Sequence, residues 1–351
     1  MYNCTLEVRS FHDDKVRLGK EERDEMRERR NTNRTRVRNG LKENGNPKPM
    51  DFFSQGSYAM RTMVQHKKKD YDIDDGIYFD EGILTNSNGT QMSASQSKHM
   101  IRDAVDDGSF TKKPDVRSNC VRVYYQTGYH VDLPVYQRVS SSNGTDTEYY
   151  ELASDEWKRS DARDVTAWFE GECSRLSVDK EDGGQLRRVC RLIKKFARSR
   201  EGWRDQIASG FMITKLLTEC YVPAASRDDV SLVDSIRSIH DRLTSNLIVE
   251  HPVTPDETIT NGDADICADF LRSKLSDALG WLDCISRVDC TQEEALKAWD
   301  KVFNTDYFIA RLPDDQKKRV EAPTILKSGL VRDWAEQSPA RVEKRGGHGY
   351  A

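Results

Sequence analysis

Apolar residues alternate with polar ones in the first half of the chain and recur at helical spacing in the second half. Between Cys120 and Val139, apolar residues occupy alternate positions on both sides of a Gln-Thr-Gly turn at 126–128. Two-residue alternation is typical of strands with one buried face, so this stretch predicts a β-hairpin. We also predict a strand over Tyr71–Phe79. From about Ser154 onward, a spacing of three and four residues predicts helices, which cover Asp161–Ser177, Gln185–Arg200, Ile207–Tyr221, Val230–Leu247, Ala264–Leu282 and Thr291–Phe303.

Further helices are predicted upstream of the hairpin. The longest runs from about Leu18 to Asn44 and is rich in Arg, Glu and Lys, with few apolar residues. Opposite charges three and four positions apart support a solvated helix, and the Gly and prolines that follow Asn44 end it. Shorter helices are predicted over Tyr58–Val64 and Ser93–Asp107.

Strands followed by helices indicate an α+β protein, and 351 residues leave room for two lobes. We predict an N-terminal segment at 1–49, a sheet-containing lobe at 50–150 and a helical lobe at 151–334. A tail at 335–351 lacks apolar periodicity. The cleft between the two lobes is where a small-molecule pocket is expected.

Two carboxylates lie one residue apart within the strand predicted over Tyr71–Phe79. Asp72 and Asp74 point to the same side of an extended chain, while Ile73 points into the sheet. Aligned carboxylates without a nearby Lys partner repel each other unless a divalent cation lies between them, and hard oxygen ligands suit Mg²⁺. The alternative is an ordinary solvated strand end.

A third carboxylate follows in the hairpin. Because Val131 and Leu133 take the buried face, Asp132 must project from the other face. Two-metal phosphoryl-transfer sites need carboxylates from neighbouring strands. We therefore predict that Asp72, Asp74 and Asp132 are catalytic residues and metal ligands. A surface Asp on a strand is the alternative for Asp132.

A small turn precedes the acidic strand. Gln55, Gly56 and Ser57 form a Gln-Gly-Ser sequence, and Gly56 permits close approach of a phosphate to the backbone. Exposed backbone N–H groups and the Ser57 hydroxyl can bind phosphate oxygens. By itself such a sequence is usually only a turn, but together with the carboxylates it predicts metal-assisted nucleotidyl transfer.

Composition excludes several classes of function. The net charge of −4, from 55 basic and 59 acidic residues, argues against a nonspecific duplex-binding surface. Eight cysteines show no C-x-x-C pair or zinc spacing, which is typical of reduced cytosolic chains. No apolar run approaches the length of a membrane span. We therefore expect a soluble cytoplasmic protein.

The motifs QGSYAMRT, DYDIDDGIYF and YHVDLPVY occur in this order, followed by ASDEW, GGQLRRVCRLIKKF and SGFMIT. The chain thereby resembles the cGAS/DncV-like nucleotidyltransferases (CD-NTases) of bacterial CBASS anti-phage signalling, and specifically their DncV-like branch. The resemblance spans most of residues 20 to 300. It implies a polymerase-β-like lobe with a mixed sheet, a helical C-terminal lobe, and a long N-terminal helix that bridges both.

The family's activity is what the resemblance implies for this chain. It implies synthesis of a cyclic oligonucleotide messenger from ATP and GTP, either a dinucleotide such as cGAMP or a trinucleotide, read by a downstream effector. Two Mg²⁺ ions are the implied cofactors, with Mn²⁺ as the alternative. The zinc-binding insertion of the eukaryotic relative has no counterpart here, so no DNA requirement is carried over. Alternatives are a nucleotidyltransferase acting on an RNA end, small molecule or protein, and an inert nucleic-acid sensor.

The resemblance also implies nucleotide-binding residues in the second half of the chain. Ser154 and Asp155 correspond to a segment that lines a base pocket, although either residue would equally suit a helix N-cap. Ser209 and one of Lys194 and Lys195 correspond to residues that hold the donor triphosphate. A solvated basic helix face is the alternative for the lysines.

The chain ends in a Gly-rich sequence that closes with Ala351. In type II anti-phage operons, the C-terminus of relatives is captured by an E1–E2-like conjugating enzyme. The resemblance therefore suggests Ala351 as a conjugation terminus. A frayed terminus is the alternative.

Overall fold

A computed structural model describes most of the chain. The predicted tail at 335–351, with Ala351, lies outside the described residues, which are 1–66, 69, 71–126, 128–140 and 148–312. The strands are β1 (Asp51–Gln55), β2 (Asp72–Asp80), β3 (Asp115–Val116), β4 (Val121–Tyr124), β5 (His130–Leu133), β6 (Val135–Val139), β7 (Tyr149–Ala153) and β8 (Trp157–Arg159). The helices are α1 (Thr5–Phe11), α2 (Lys20–Glu43), α3 (Gly56–Ala59), α4 (Ala94–Val105), α5 (Ala162–Leu176), α6 (Gln185–Ala197), α7 (Gly210–Cys220), α8 (Asp228–Ser245), α9 (Ile266–Leu282) and α10 (Gln292–Phe303).

The strands form one mixed sheet in which β2 is central. On one side β1 pairs with β2 antiparallel, and on the other side β5 and β6 pair with it in one continuous parallel register. Pro134 separates β5 from β6 because it lacks an N–H, but its carbonyl still accepts from the Ile77 amide at 2.8 Å. β4 pairs antiparallel with β5 and β7 with β6, while β3 and β8 extend the two ends. The predicted hairpin and α+β class are confirmed.

Helix α2 packs behind the sheet and confirms the long helix predicted near the N-terminus. The guanidinium of Arg34 contacts the fully buried carboxylate of Asp75 through two hydrogen bonds of 2.6 and 2.5 Å. Gly40 allows α2 to approach α4 closely, because a Cβ there would lie 2.0 Å from the carbonyl oxygen of Ala104. The long helix is thus held against the rear of β2 by an ion pair and by a small residue.

The helices predicted in the second half of the chain are present as α5 to α10, with ends shifted by a few residues. They surround a large apolar core with Trp299 fully buried, and a second core lies between the sheet, α2 and α4. Within the described ranges, no helix is both long enough and apolar enough to cross a lipid bilayer.

The prediction that helical structure begins near Ser154 is wrong. The chain instead turns back and forms β8, whose Trp157 donates its indole N–H to the carbonyl of Met92 at 3.1 Å. The sheet therefore extends beyond the predicted limit at 150. A strand of three residues is too short to show alternation. The helix predicted over Tyr58–Val64 is also misplaced, since the short helix covers Gly56–Ala59.

We expect Arg34→Met to destabilise the fold by about 3–5 kcal/mol, because it leaves the buried Asp75 carboxylate without its charged partner. Urea unfolding of the full chain measures this change. The matched control is Arg272→Met, which removes an exposed i,i+3 pair with Asp269 and should cost about 1 kcal/mol or less. Equal effects of the two substitutions would contradict the assigned role of Arg34.

Candidate active site

The predicted carboxylates lie together on one face of the sheet. Asp74 of β2 is directly opposite Asp132 of β5 in a parallel register, so their side chains point the same way. Asp72 lies two residues before Asp74 on the same face, opposite His130. Ile73 points to the other face, where it is fully buried. Neighbouring strands thus align the acidic side chains that the sequence singled out.

Asp74 is the least solvated of these carboxylates. It is 6 % exposed, and burial, followed by the charges of Asp132 and Asp72, raises its pKa well above the usual range. Its Oδ2 atom is buried and has no hydrogen-bond partner among the described residues. A buried, unpaired carboxylate oxygen is unfavourable unless a cation compensates it. The side chain therefore fits a divalent metal ion that prefers hard oxygen ligands.

Asp132 and Asp72 already have hydrogen-bonding partners. Both oxygens of Asp132 accept hydrogen bonds from Arg122 on β4, at 2.8 and 2.7 Å. Burial favours the neutral form of Asp72, but the hydrogen bond from His130 and the charge of Arg122 outweigh it and lower the pKa of Asp72. In the part of the chain that is described, no three His, Cys, Asp or Glu side chains are gathered closely enough to enclose a metal ion. The three carboxylates share one face, but one of them, Asp132, is already paired with Arg122.

The Gly-Ser turn begins where β1 ends. Gly56 adopts a φ of +59°, a left-handed conformation that favours glycine, and α3 starts there. The amide of Gln55 lies against Gly76, donates to the Tyr78 hydroxyl at 3.0 Å and accepts from the Tyr136 hydroxyl at 3.2 Å. The Gln55 side chain, predicted to bind nucleotide, is thus buried among protein groups and fixes the end of β1.

Lys194 lies between the Gly-Ser turn and the start of α7. Its ammonium donates to the Thr62 hydroxyl at 2.8 Å, and the Thr62 amide donates to the Ser57 carbonyl at 2.9 Å. A Cβ placed on Gly210, the first residue of α7, would lie 3.6 Å from Lys194 Cε. Burial lowers the pKa of Lys194 to about 8. This lysine is therefore a desolvated cation beside the turn.

Lys195 and Ser209 occupy different surroundings. The Lys195 ammonium donates to the carbonyl of Gln65 at 2.9 Å, away from the turn. Ser209 is the N-cap of α7, and its hydroxyl accepts from the Met212 amide at 3.1 Å. The Ser209 hydroxyl can still donate one hydrogen bond while it caps the helix.

Ser154 and Asp155 lie in the turn between β7 and β8. The alternative of a helix N-cap is wrong for both, because Asp161 caps α5. The Ser154 hydroxyl donates to the side-chain oxygen of Asn119 at 2.7 Å, and its carbonyl accepts from the Lys98 ammonium at 2.7 Å. Asn119 lies two residues before β4, so this turn is tied to the hairpin that carries Asp132.

Sequence reasoning missed two cations at this site. Arg122 lies directly opposite Asp132 across the hairpin, and the alternation that placed Asp132 also placed Arg122 on its face. That signal was present in the sequence. Lys98 is a nearly fully buried residue of α4 that donates to the carbonyls of Arg117, Ser118 and Ser154. Nothing in the local sequence distinguishes it from a solvated helical lysine.

Comparison with known proteins agrees with this geometry. Residues 50–136 match the family model described as cyclic GMP-AMP synthase DncV-like, nucleotidyltransferase domain. Escherichia coli DncV bound to 3′-deoxy GTP is 16 % identical, with a TM-score of 0.67 over 88 % of this chain and 98 % of that chain. Vibrio cholerae DncV, a cyclic AMP-GMP synthase, in complex with nonhydrolyzable GTP is 18 % identical, with a TM-score of 0.68 over 86 % and 96 %.

A further Vibrio cholerae DncV structure contains the linear intermediate 5′ pppA(3′,5′)pG. It is 18 % identical, with a TM-score of 0.64 over 82 % of this chain and 91 % of that chain. At these identities the structural similarity establishes the fold. The match covers both the sheet and the helical part, so the expectation of a nucleotidyltransferase fold with a helical C-terminal part is confirmed.

We expect Asp74→Asn to raise the Tm at neutral pH in EDTA-treated protein. The folded-state pKa of Asp74 lies above the unfolded value of about 3.9, so ionisation opposes folding increasingly as pH rises between these two values. Above the folded-state pKa the full destabilisation by the ionised carboxylate is present. Well below pH ~4 this destabilisation vanishes, and Asp74→Asn should no longer raise the Tm. Thermal unfolding across pH measures this difference.

Asp80→Asn is the matched control on the same strand. A hydrogen bond from Arg138 lowers the pKa of Asp80, so this carboxylate stabilises the fold above its unfolded pKa. Its replacement should leave the neutral-pH Tm unchanged or lower it. A lower Tm for Asp74→Asn at neutral pH would contradict the electrostatic account of β2.

Proposed function

Because residues 50–136 match the DncV-like nucleotidyltransferase domain, we propose that this chain is a nucleotidyltransferase of that family and that it joins ATP and GTP into a cyclic dinucleotide. The observation that carries the proposal is the alignment of Asp72, Asp74 and Asp132 on one face, with a buried Asp74 oxygen that lacks a partner. The Vibrio cholerae relative solved with a linear dinucleotide intermediate supports a two-step reaction. Each step would join a ribose hydroxyl to an α-phosphate and release pyrophosphate.

The proposed carboxylates would hold Mg²⁺, or Mn²⁺ in its place. The bound ions supply Lewis-acid stabilisation of phosphate charge and lower the pKa of the attacking ribose hydroxyl. Asp74 suits this role best because its unpaired oxygen is already desolvated. Asp72 and Asp132 would provide the remaining carboxylate oxygens from the same face.

The triphosphate would bind between the Gly-Ser turn and α7. Gly56 leaves the backbone open to a phosphate, and Ser57 adds a hydroxyl. Of the two candidate lysines, we assign Lys194, because its buried ammonium lies beside Thr62 and the turn. The Ser209 hydroxyl, at the start of α7, would donate to a phosphate oxygen from the other side.

The turn at Ser154 and Asp155 would line the base pocket. The Lys98 ammonium holds the carbonyl of Ser154, and the side chain of Asn119 accepts from the Ser154 hydroxyl. Asp155 is exposed on this turn, where its carboxylate would accept from the edge of a guanine.

The biological setting follows the family resemblance. We propose that the product is a messenger in anti-phage defence that a downstream effector binds. The E1–E2-like capture of Ala351 remains a prediction, because the tail lies outside the described residues.

We expect Asp72→Asn combined with Asp74→Asn to abolish product formation while the protein stays folded. Chromatography and mass spectrometry of the product made from all four nucleoside triphosphates measure this. A phosphatase-resistant product made without an added acceptor supports cyclisation. A product found only when an RNA, small molecule or protein is added would favour the other transferase functions. Retained synthesis by the folded double variant would contradict the assignment of the carboxylates.

We expect Lys194→Met to raise the KM for nucleoside triphosphate roughly ten- to hundredfold, because a charge-assisted hydrogen bond to a phosphate is lost. Lys195→Met is the matched control from the neighbouring position and should change KM by less than about threefold. Steady-state kinetics with ATP and GTP, together with thermal unfolding of both variants, check this prediction. A larger effect of Lys195→Met would reverse the assignment.

A further inference from the structure

An arginine competes for the position from which a metal ion would reach Asp132. Arg122 of β4 and Asp132 of β5 are direct partners in the antiparallel hairpin, so their side chains share the face of the proposed metal site. The guanidinium donates from Nε and Nη2 to the two oxygens of Asp132, at 2.8 and 2.7 Å. This is a bidentate pair, the strongest arrangement available to an arginine and a carboxylate.

Across the part of the chain that is described, the pair leaves one oxygen of the neighbouring carboxylate without a hydrogen-bond partner. Arg122 reaches Asp132, but the Oδ2 atom of Asp74 on the adjacent strand remains without a partner within the described residues. One guanidinium therefore neutralises only part of the acidic face. A cation between Asp74 and Asp132 would serve both carboxylates, but either oxygen of Asp132 that it approaches already accepts from Arg122, and the two positive charges would repel each other there.

The two side chains differ in their access to solvent. The Asp132 side chain is 10 % exposed, whereas that of Arg122 is 29 % exposed. A long, partly exposed side chain can withdraw into water, where its charge is hydrated, while the buried carboxylate stays in place. Release of Arg122 is therefore the less costly rearrangement when a cation arrives.

We propose that Arg122 is the internal counter-ion of Asp132 in the metal-free enzyme and that divalent cations bind by displacing it. The pair then keeps Asp132 ordered before metal binds and weakens the affinity for metal, which sets the cation concentration that the enzyme requires. This inference rests on the proposed metal site of Asp72, Asp74 and Asp132. It concerns metal affinity, so it can be measured without nucleotide or turnover.

The test measures Mn²⁺ binding to the full chain by calorimetry and by the loss of the free-ion paramagnetic resonance signal. We expect Arg122→Met to lower the Kd for Mn²⁺ roughly ten- to hundredfold, because no bidentate pair must be broken. Arg122→Lys keeps the charge but not the bidentate geometry and should give an intermediate Kd.

Arg117→Met is the matched control for charge. Arg117 precedes the same hairpin and contacts Asp115 and the Tyr124 hydroxyl, so its removal deletes one positive charge without touching Asp132. The Kd of the Arg117→Met variant for Mn²⁺ should differ from that of the unmodified chain by less than about threefold. An equal gain in Arg117→Met would assign the effect to net charge and overturn the proposal.

The remaining outcomes separate this inference from the proposed function. If Arg122→Met and Arg122→Lys bind Mn²⁺ no more tightly than the unmodified chain, displacement is refuted even though the metal site stands. If Asp74→Asn binds Mn²⁺ as well as the unmodified chain, the proposed metal site itself is refuted. Thermal unfolding adds a second readout, since Mn²⁺ should raise the Tm of Arg122→Lys more than that of the unmodified chain.

Discussion

Repulsion between aligned carboxylates is the constraint on which the rest of this structure depends. Asp72, Asp74 and Asp132 point from adjacent strands to one face, and burial together with the charges of Asp132 and Asp72 raises the pKa of Asp74. Such an arrangement is unfavourable in a protein that has no cation to place there. It persists because a continuous parallel register between β2 and β5 leaves the side chains no other direction. The backbone hydrogen bonds of the sheet thus maintain an acidic face that its own electrostatics opposes.

The elements around this face hold the strands in register and bring cationic groups to the site. Helix α2 pairs Arg34 with Asp75 directly behind Asp74, so the rear of β2 carries no uncompensated charge. The amide of Gln55 ties β1 to Tyr78 and Tyr136 and thereby fixes where the Gly-Ser turn begins. The helical part contributes a buried ammonium through Lys194. The site therefore draws on the sheet, the rear helix and the helical lobe together.

Sequence patterns located the acidic face because strand alternation is a local property. The face to which Asp72, Asp74 and Asp132 point could be predicted once Ile73 and Val131 were taken to be buried. The choice between Lys194 and Lys195 could not be made in this way, since helical spacing places both on the flank of an apolar face. Contacts with Thr62 and Gln65, more than a hundred residues away in sequence, separate them.

The charge compensation on the two faces of β2 differs in a way that fits the proposed metal site. At the rear, the carboxylate of Asp75 is fully buried and its partner Arg34 is 19 % exposed, so opening this pair would leave a buried charge uncompensated. At the front, Arg122 contacts Asp132 from a partly exposed strand position. Under the proposed displacement, a cation would replace the positive charge of Arg122 at the front of the strand while the pair of Arg34 and Asp75 stays in place behind it. The backbone register of β2 would then not need to change on the proposed binding of metal.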